Sequence, residues 1–406
     1  MDKFFYNFII FFLFVIGCNN KKTINQQKNT IKQDIPIRGV WIATSFNLDW
    51  PSLSSINFNS DKLRIKIQKK ELTDKLNNFL KLGINTIFFQ VKSDGTALYR
   101  SNILPWSSVL TGITGKDSGY DPLAFIIDEA HKRNLKIHAW LNPYRVSMDT
   151  KQETILSLQN TLYSKPVSVY VLHKDWIQIA HDRFVLDPGT PEVRNWIISI
   201  IVELIKNYDI DGIQFDDYFY YETASSKLND NKTFQKYGHK FLDKASWRRN
   251  NTFLLIQEVS SIVHSLKSNV EFGISPGGVW RNISDDFRGS DTNAGYPTYD
   301  MAYADTRLWI KEGLLDYIIP QIYWSFSRKK MRYDIIVKWW ANQVKSTNTK
   351  LYIGVALYKV GIQSYIEPDW VLNDGIYEIK KQLDFNDSLP EIKGTIFFRE
   401  AILHLK

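Results

Sequence analysis

The chain has 406 residues, 44% of them hydrophobic, enough for one large core or two ordinary ones. Its net charge of +8 comes without an arginine-rich tract, a zinc-knuckle spacing or another nucleic-acid motif, so no nucleic-acid partner is expected. A solvated basic surface accounts for the excess, and an acidic polymer would also suit it. Cys18 is the single cysteine, which excludes an internal disulfide.

Lys3 precedes an apolar run over residues 4–16, too short for a comfortable membrane span and right for the core of a signal peptide. The run ends in Val15-Ile16-Gly17-Cys18, which resembles a bacterial lipoprotein signal cleaved before a cysteine that then carries the lipid. Val15 stands where leucine is usual, and Asp2 beside one lysine makes a weak start, so an uncleaved signal anchor is the alternative. Asn19 is not the aspartate that retains lipoproteins at the inner membrane, and the expected location is therefore the outer membrane, facing the periplasm. Residues 1–17 read as the signal peptide, 18–35 as a polar lipidated tether without apolar periodicity, and 36–406 as one folded domain.

Beyond the tether, strands and helices alternate. The expected strands are 37–43, 84–91, 136–141, 211–216, 270–275, 316–323, 351–357 and 394–399. Helical patterns fall between them at 62–82, 121–134, 191–207, 246–267, 302–313, 334–346 and 373–384, with Pro122 and Pro191 near the first helical positions. This alternation predicts an α/β fold, a (β/α)8 TIM-type barrel with long loop insertions and a short or missing last helix. No Gly-rich phosphate loop follows any strand, which disfavours a doubly wound sheet and gives no reason to expect a cofactor.

The fourth strand and its sequel, Asp211-Gly212-Ile213-Gln214-Phe215-Asp216-Asp217-Tyr218, are the most informative stretch. Strand alternation puts Ile213 and Phe215 on the helix side and Gln214 and Asp216 on the other, where only a site or a buried polar network has use for them. The same parity turns Trp41 and Ala43, Gln90 and Lys92, His138, Trp140 and Asn142, Ser275, Gln321 and Tyr323, and Arg399 inward, with Asp94 just beyond the second strand. In a barrel these residues converge at the C-terminal mouth, where sites of this fold lie. A satisfied polar plug is the plainer reading of the same pattern.

The connections add Tyr144 and Arg145 after the third strand, Trp280 and Arg281 after the fifth, and Trp324 after the sixth. Trp280 and Trp324 are candidate stacking platforms for sugar rings, or rim packing. Arg145 and Arg281 suit bidentate grip of a carboxylate. The aromatic content of 14%, with 13 Trp and 21 Tyr, is core material first, though glycan-handling proteins also run rich in these rings.

Five segments carry a resemblance: Arg38-Gly39-Val40-Trp41, Phe89-Gln90-Val91-Lys92-Ser93-Asp94-Gly95, Trp140-Leu141-Asn142-Pro143-Tyr144-Arg145, the fourth-strand stretch, and Pro320-Gln321-Ile322-Tyr323-Trp324. From about Pro36 to Glu400 the chain resembles the glycosyl-hydrolase-like ten family, and within it the outer-membrane lipoproteins of the division site. The resemblance implies a TIM-barrel glycosidase that cleaves peptidoglycan glycan strands stripped of their stem peptides, with division proteins as possible partners. Each muramic acid without its peptide exposes a carboxylate, which fits the basic balance.

Asp216 is the expected catalytic carboxylate. Its partner is open among Asp94, Asp217, Glu222 and Asp305, because glycosidases set two carboxyls about 5–5.5 Å apart when retaining and about 6.5–9.5 Å apart when inverting. Substrate assistance by an acetamido group is a further route, with Tyr323 able to contact that group. The fourth strand also resembles a chitinase strand, but Gln214 and Tyr218 replace two of its acids, so that mechanism does not carry over. Two other classes stay open: a non-catalytic glycan-binding lipoprotein that recruits wall enzymes, and a metal-dependent hydrolase using His138 and Asp216. No His-x-His or His-Glu-x-x-His spacing supports the metal, and none is expected. Nothing suggests more than a monomer.

Overall fold

The computed structural model describes residues 35–58, 60–220 and 226–400. The expectations for Cys18 and the tether, for Glu222 and for the last helix fall outside the described residues.

Among the described residues there are ten strands: β1 (Ile37–Ile42), β2 (Thr86–Lys92), β3 (Lys136–Leu141), β4 (Ile177–Ala180), β5 (Arg183–Leu186), β6 (Gly212–Phe215), β7 (Glu271–Ile274), β8 (Tyr317–Ile318), β9 (Lys350–Ala356) and β10 (Ile392–Phe398). Eight of them close a parallel barrel in the order β1-β10-β9-β8-β7-β6-β3-β2, and β4 and β5 form a separate antiparallel hairpin. The eight barrel strands are those expected, and helices lie between them, giving the (β/α)8 architecture. The first long helix, α1 (Asp61–Lys81), starts where the Ser60 hydroxyl accepts from the Leu63 amide, and stops before Gly83, whose φ of +71° is a left-handed turn. The next, α2 (Pro122–His131), is capped by the Asp121 carboxylate on the Ala124 amide, with Pro122 at its first position.

Alternation along the strands builds two cores. Val40, Ile42, Ile137, Ala139, Ile213 and Phe215 belong to the layer between barrel and helices, while Trp41, Ala43, Phe88, Trp140, Tyr317, Tyr352 and Ile396 fill the barrel itself. The barrel floor is tight. A Cβ on Gly212 would lie 2.2 Å from His138 Nδ1, and one on Gly273 would lie 2.3 Å from the Tyr317 ring, so only glycine fits beside those rings. His138 bonds the Tyr317 hydroxyl at 3.0 Å, and that hydroxyl donates to the Ile213 carbonyl at 3.1 Å. Burial pushes the imidazole down to about 4, so His138 is a neutral plug in the floor.

Two local departures shape the mouth. The register between β2 and β3 shifts between Gln90 and Lys92: Gln90 pairs with inward Trp140, but Lys92 pairs with outward Leu141. This bulge ends the alternation that would have turned Lys92 inward. The expected strand 316–323 shortens to Tyr317–Ile318 because Pro320 offers no N–H to the ladder. Pairing resumes at one residue, Gln321, which bridges to Gly277 on one side and Gly354 on the other.

Candidate active site

Asp216 follows the last residue of β6, and its amide still pairs with the Leu141 carbonyl at 3.1 Å, so the carboxylate stands at the C-terminal rim of the barrel. Four N–H groups converge on it. Asn142 Nδ2 donates to Oδ2 at 2.8 Å and Trp140 Nε1 to the same oxygen at 3.3 Å. Gln321 Nε2 donates to Oδ1 at 3.3 Å, and the Asp217 amide does so at 2.9 Å.

Asn142 is itself oriented. Its Oδ1 accepts from Gln90 Nε2 at 2.9 Å, and Gln90 Oε1 accepts the amides of Thr44 at 2.9 Å and Ser45 at 3.0 Å. Because the two backbone amides can only donate, the orientation of both side-chain amides is fixed, and Asn142 must present its NH2 to Asp216. The chain of bonds thus runs from the turn after β1, across β2 and β3, to the carboxylate on β6.

A second layer lies underneath. Trp41 Nε1 donates to Gln214 Oε1 at 2.9 Å, Gln214 Nε2 donates to Ser275 Oγ at 2.5 Å, and the Ser275 carbonyl accepts from Gln321 at 2.8 Å. Gln214 and Ser275 are fully buried with their bonds used within the barrel, so they brace Asp216 and Gln321 from below rather than meet a ligand.

Asp217 escapes strand parity because the strand has ended. Its carboxyl is pushed well above the ordinary range, first by burial, then by the negative charge of Asp216 and a hydrogen bond to it. Its Oδ1 is buried without a protein partner. Tyr323 is the neighbouring wall: its ring stacks on Phe398 with centroids 5.6 Å apart, and burial and then the charge of Asp216 keep its hydroxyl protonated. The centre therefore offers a donor-ringed carboxylate, a carboxyl that holds its proton, and a phenol. Among the described residues, no group of three His, Cys, Asp or Glu side chains is placed to hold a metal ion.

A sequence model described as glycosyl hydrolase-like 10 matches residues 36–372. The chain belongs to the glycosyl hydrolase-like 10 family. It is 59% identical over 369 residues to proteins of Escherichia coli and Shigella flexneri named glycosyl hydrolase DigH, covering 91% of this chain and 84% of theirs. It is 41% identical over 369 residues to glycosyl hydrolase YngK of Bacillus subtilis, covering 90% and 68%. Among solved structures, the glycoside hydrolase domain of PgaB (BpsB) from Bordetella bronchiseptica aligns over 91% of this chain and 95% of its own, with a TM-score of 0.51 and 12% identity. At that identity the likeness speaks for the fold alone.

The remaining expected residues of this family member lie apart from Asp216. Lys92, turned outward by the bulge, donates to the carbonyls of Asn142 at 2.8 Å, Pro143 at 3.2 Å and Arg145 at 3.4 Å. Burial pulls its amine down to about 7. Its role is to hold the loop after β3, not to meet a ligand. Tyr144 is buried in the outer core, where burial raises its hydroxyl, and does not face the mouth. Arg145 donates to the Ser93 carbonyl at 3.2 Å and lies over the Tyr218 ring at 5.0 Å.

In the loop after β7, Trp280 and Arg281 find their partners within the same connection. Trp280 is 1% exposed and donates to Asp305 Oδ1 at 3.2 Å, so it is no stacking platform. Asp305 also caps the helix Thr306–Lys311 through the Leu308 amide. Arg281 binds Asp300 at 2.9 Å and Asp286 at 3.3 Å, which occupies the fork expected to grip a carboxylate. Asp94 accepts the Thr96 amide at 2.9 Å and faces a separate cavity. Of the described candidates for a second carboxyl, Asp217 is the one in contact with Asp216.

Trp324 is half-buried, and the loop behind it is clamped by three carboxylates the sequence did not single out. Glu367 accepts the Ser325 amide at 2.8 Å, Glu378 the Phe326 amide at 3.1 Å, and Asp369 the Ser327 amide at 3.0 Å. The sequence also gave no weight to Phe398 or Tyr358, which frame Tyr323. Phe398 shares the inward side of the last strand with Ile396, so Arg399, expected to turn inward, instead donates to the Leu48 carbonyl at 2.9 Å and to Asp49.

Proposed function

We propose that this protein is a glycosidase that cleaves peptidoglycan glycan strands stripped of stem peptides, anchored by a lipid on Cys18 to the outer membrane and acting from the periplasmic side in wall remodelling and division. The observation that carries the reading is the pairing of Asp216, ringed by four N–H donors, with Asp217, whose carboxyl retains its proton beside it. Hydrolysis of a glycosidic bond needs that asymmetry: a proton for the leaving oxygen and a negative group for the cationic sugar that develops. Asp217 donates the proton. Because its carboxyl is hydrogen-bonded to Asp216, the two stand closer than a retaining or inverting pair. The substrate's own acetamido oxygen therefore attacks the sugar carbon as the bond to the leaving oxygen breaks, and water then opens the resulting ring. Asp216 is held by Asn142, Trp140 and Gln321 at the rim and supplies the charge. Tyr323, whose hydroxyl is raised by burial and then by the charges of both, orients the acetamido group in this reading. The family name and the sequence of the anchor segment support the same reading.

The test is digestion of purified glycan strands, with and without prior amidase treatment, by the protein and by its Asp216→Asn variant, with products identified by mass spectrometry. New reducing ends are expected from stripped strands with the parent, and a fall of about 10²–10⁴-fold in the variant. Strands that sediment with both proteins and stay uncut would leave a wall-binding protein instead.

A further inference from the structure

A cavity of about 510 Å³ is lined by Phe46, Ser93, Asp94, Val146, Ser147 and Glu153, among others. Its walls are the loops after β1, β2 and β3, so it opens at the same end of the barrel as Asp216. It also shares structure with that centre. The amides of Thr44 and Ser45, just before Phe46, are held by the Gln90 side chain that orients Asn142. Arg145, just before Val146, ties Ser93 to the Tyr218 ring, two residues after Asp216.

Phe46 is the unusual member. It is 60% exposed and has a φ of 54°, and Asn47 follows with a φ of 55°. Two successive left-handed residues other than glycine persist only where the surroundings impose them. Here Asn47 Nδ2 donates to the carbonyls of Pro51 at 2.9 Å and Val109 at 3.0 Å, fixing the turn. The fold thus holds an aromatic face out of its core and against a cavity.

The lining has the two parts a sugar requires. Phe46, Leu53 and Val146 offer an apolar face to ring C–H groups, and serine hydroxyls and two carboxylates offer partners to sugar hydroxyls. The charged residues that line it are Asp94 and Glu153, both acidic. A sugar bearing a free carboxylate is repelled there, whereas an uncharged one can donate its hydroxyls to them.

We propose that this cavity is a subsite for an uncharged N-acetylated sugar of the glycan strand, with Phe46 as its stacking platform and Asp94 and Glu153 as its hydroxyl acceptors. It rests on the glycan reading above and adds to it: in a strand that alternates uncharged and carboxylate-bearing sugars, the subsite fixes which kind lies here, and hence the register of the strand at Asp216.

The experiment is calorimetric titration of chitotetraose, which carries no carboxylate, into the Asp216→Asn protein, so that binding is read without turnover. Adding Phe46→Ala is expected to weaken binding about tenfold, Phe46→Tyr to restore it, and Asp94→Asn with Glu153→Gln to weaken it several-fold. Should Phe46→Ala melt early, Leu53→Asp on the exposed wall of the same cavity gives the same reading. Equal binding with and without the Phe46 ring, or no binding of chitotetraose at all, overturns the subsite. If the parent cuts strands while Phe46→Ala binds as before, the subsite alone fails. If binding depends on Phe46 but the parent yields no new reducing ends, the glycosidase reading fails and the subsite stands.

Discussion

The loop after β3 and the loop after β7 look alike in sequence, each setting an aromatic ring beside an arginine at the end of a barrel strand. In the structure they do opposite things. The loop after β3 spends its polar groups on the centre: Asn142 donates to Asp216, and Lys92 fastens three of the loop's carbonyls from behind. The loop after β7 spends them on itself, with Arg281 between Asp286 and Asp300 and Trp280 on Asp305. A long loop that carries its own counter-charges neutralises its arginines before any ligand arrives.

The largest effect of this contrast between the loops is expected at Asn142. Asn142→Ala removes a 2.8 Å bond to Asp216 and leaves Gln90 Nε2 without its acceptor. Hydrogen bonds to charged groups contribute about 1.5–3 kcal/mol, so kcat on stripped strands is expected to fall about 10- to 100-fold with KM little changed. Steady-state kinetics decide it. A variant that keeps parental kcat would mean the relay is only a plug.

Lys92→Met tests the support behind that loop. It leaves three buried carbonyls without their donor, and thermal melts should show a loss of about 2–3 kcal/mol. The pH dependence has a definite sign. Burial lowers the Lys92 amine from 10.5 to about 7, so unfolding takes up a proton between those values. The stability it contributes is complete above 10.5 and is lost as pH falls through 7, and the variant should lack that slope. Denaturant titrations at pH 6, 8 and 10 read it directly.

The architecture was legible because buried parallel strands are short apolar runs between helices with 3.6-residue periods, and all eight lay close to where the pattern put them. Inward parity was readable at Trp41, Trp140 and Asp216 because those strands alternate without interruption. It failed at Lys92, where a bulge adds a residue that composition does not reveal, and at Arg399, since Ile396 and Phe398 take the inward side of the last strand. In the sixth barrel strand Pro320 cuts the ladder short, but Gln321 still reaches Asp216. The β4–β5 hairpin was missed because His181 and Asp182 occupy its left-handed turn, φ 50° and 54°, where Asn-Gly would have been the signal. Trp280 and Arg281 misled because their partners, Asp286, Asp300 and Asp305, lie five to 25 residues further on in the same irregular loop.

A smaller effect comes from the clamp behind Trp324. Burial raises the Glu378 carboxyl from 4.5 to about 7. Its stabilising contribution is complete below 4.5 and fades as pH rises through 7, the reverse of Lys92. Glu378→Gln keeps an acceptor for the Phe326 amide and should flatten melting temperature against pH between 4.5 and 7. A parental slope in the variant would assign that dependence to other groups.

The smallest effect is expected at Arg281, and it bears most directly on the contrast between the loops. Its guanidinium is shared by Asp286 and Asp300 and lies 4.7 Å from the centre of the Tyr299 ring, while Arg288 also holds Asp286 at 2.6 Å. Arg281→Ala therefore leaves Asp286 paired, and melting should drop by no more than about 2–4 °C. Because the fork is already occupied, KM for a strand rich in free carboxylates should stay within about twofold of the parent at low and at physiological salt. A rise near tenfold at low salt, shrinking as salt is added, would mean that Arg281 leaves its own loop for the substrate, and that the two loops differ less than their hydrogen bonds suggest.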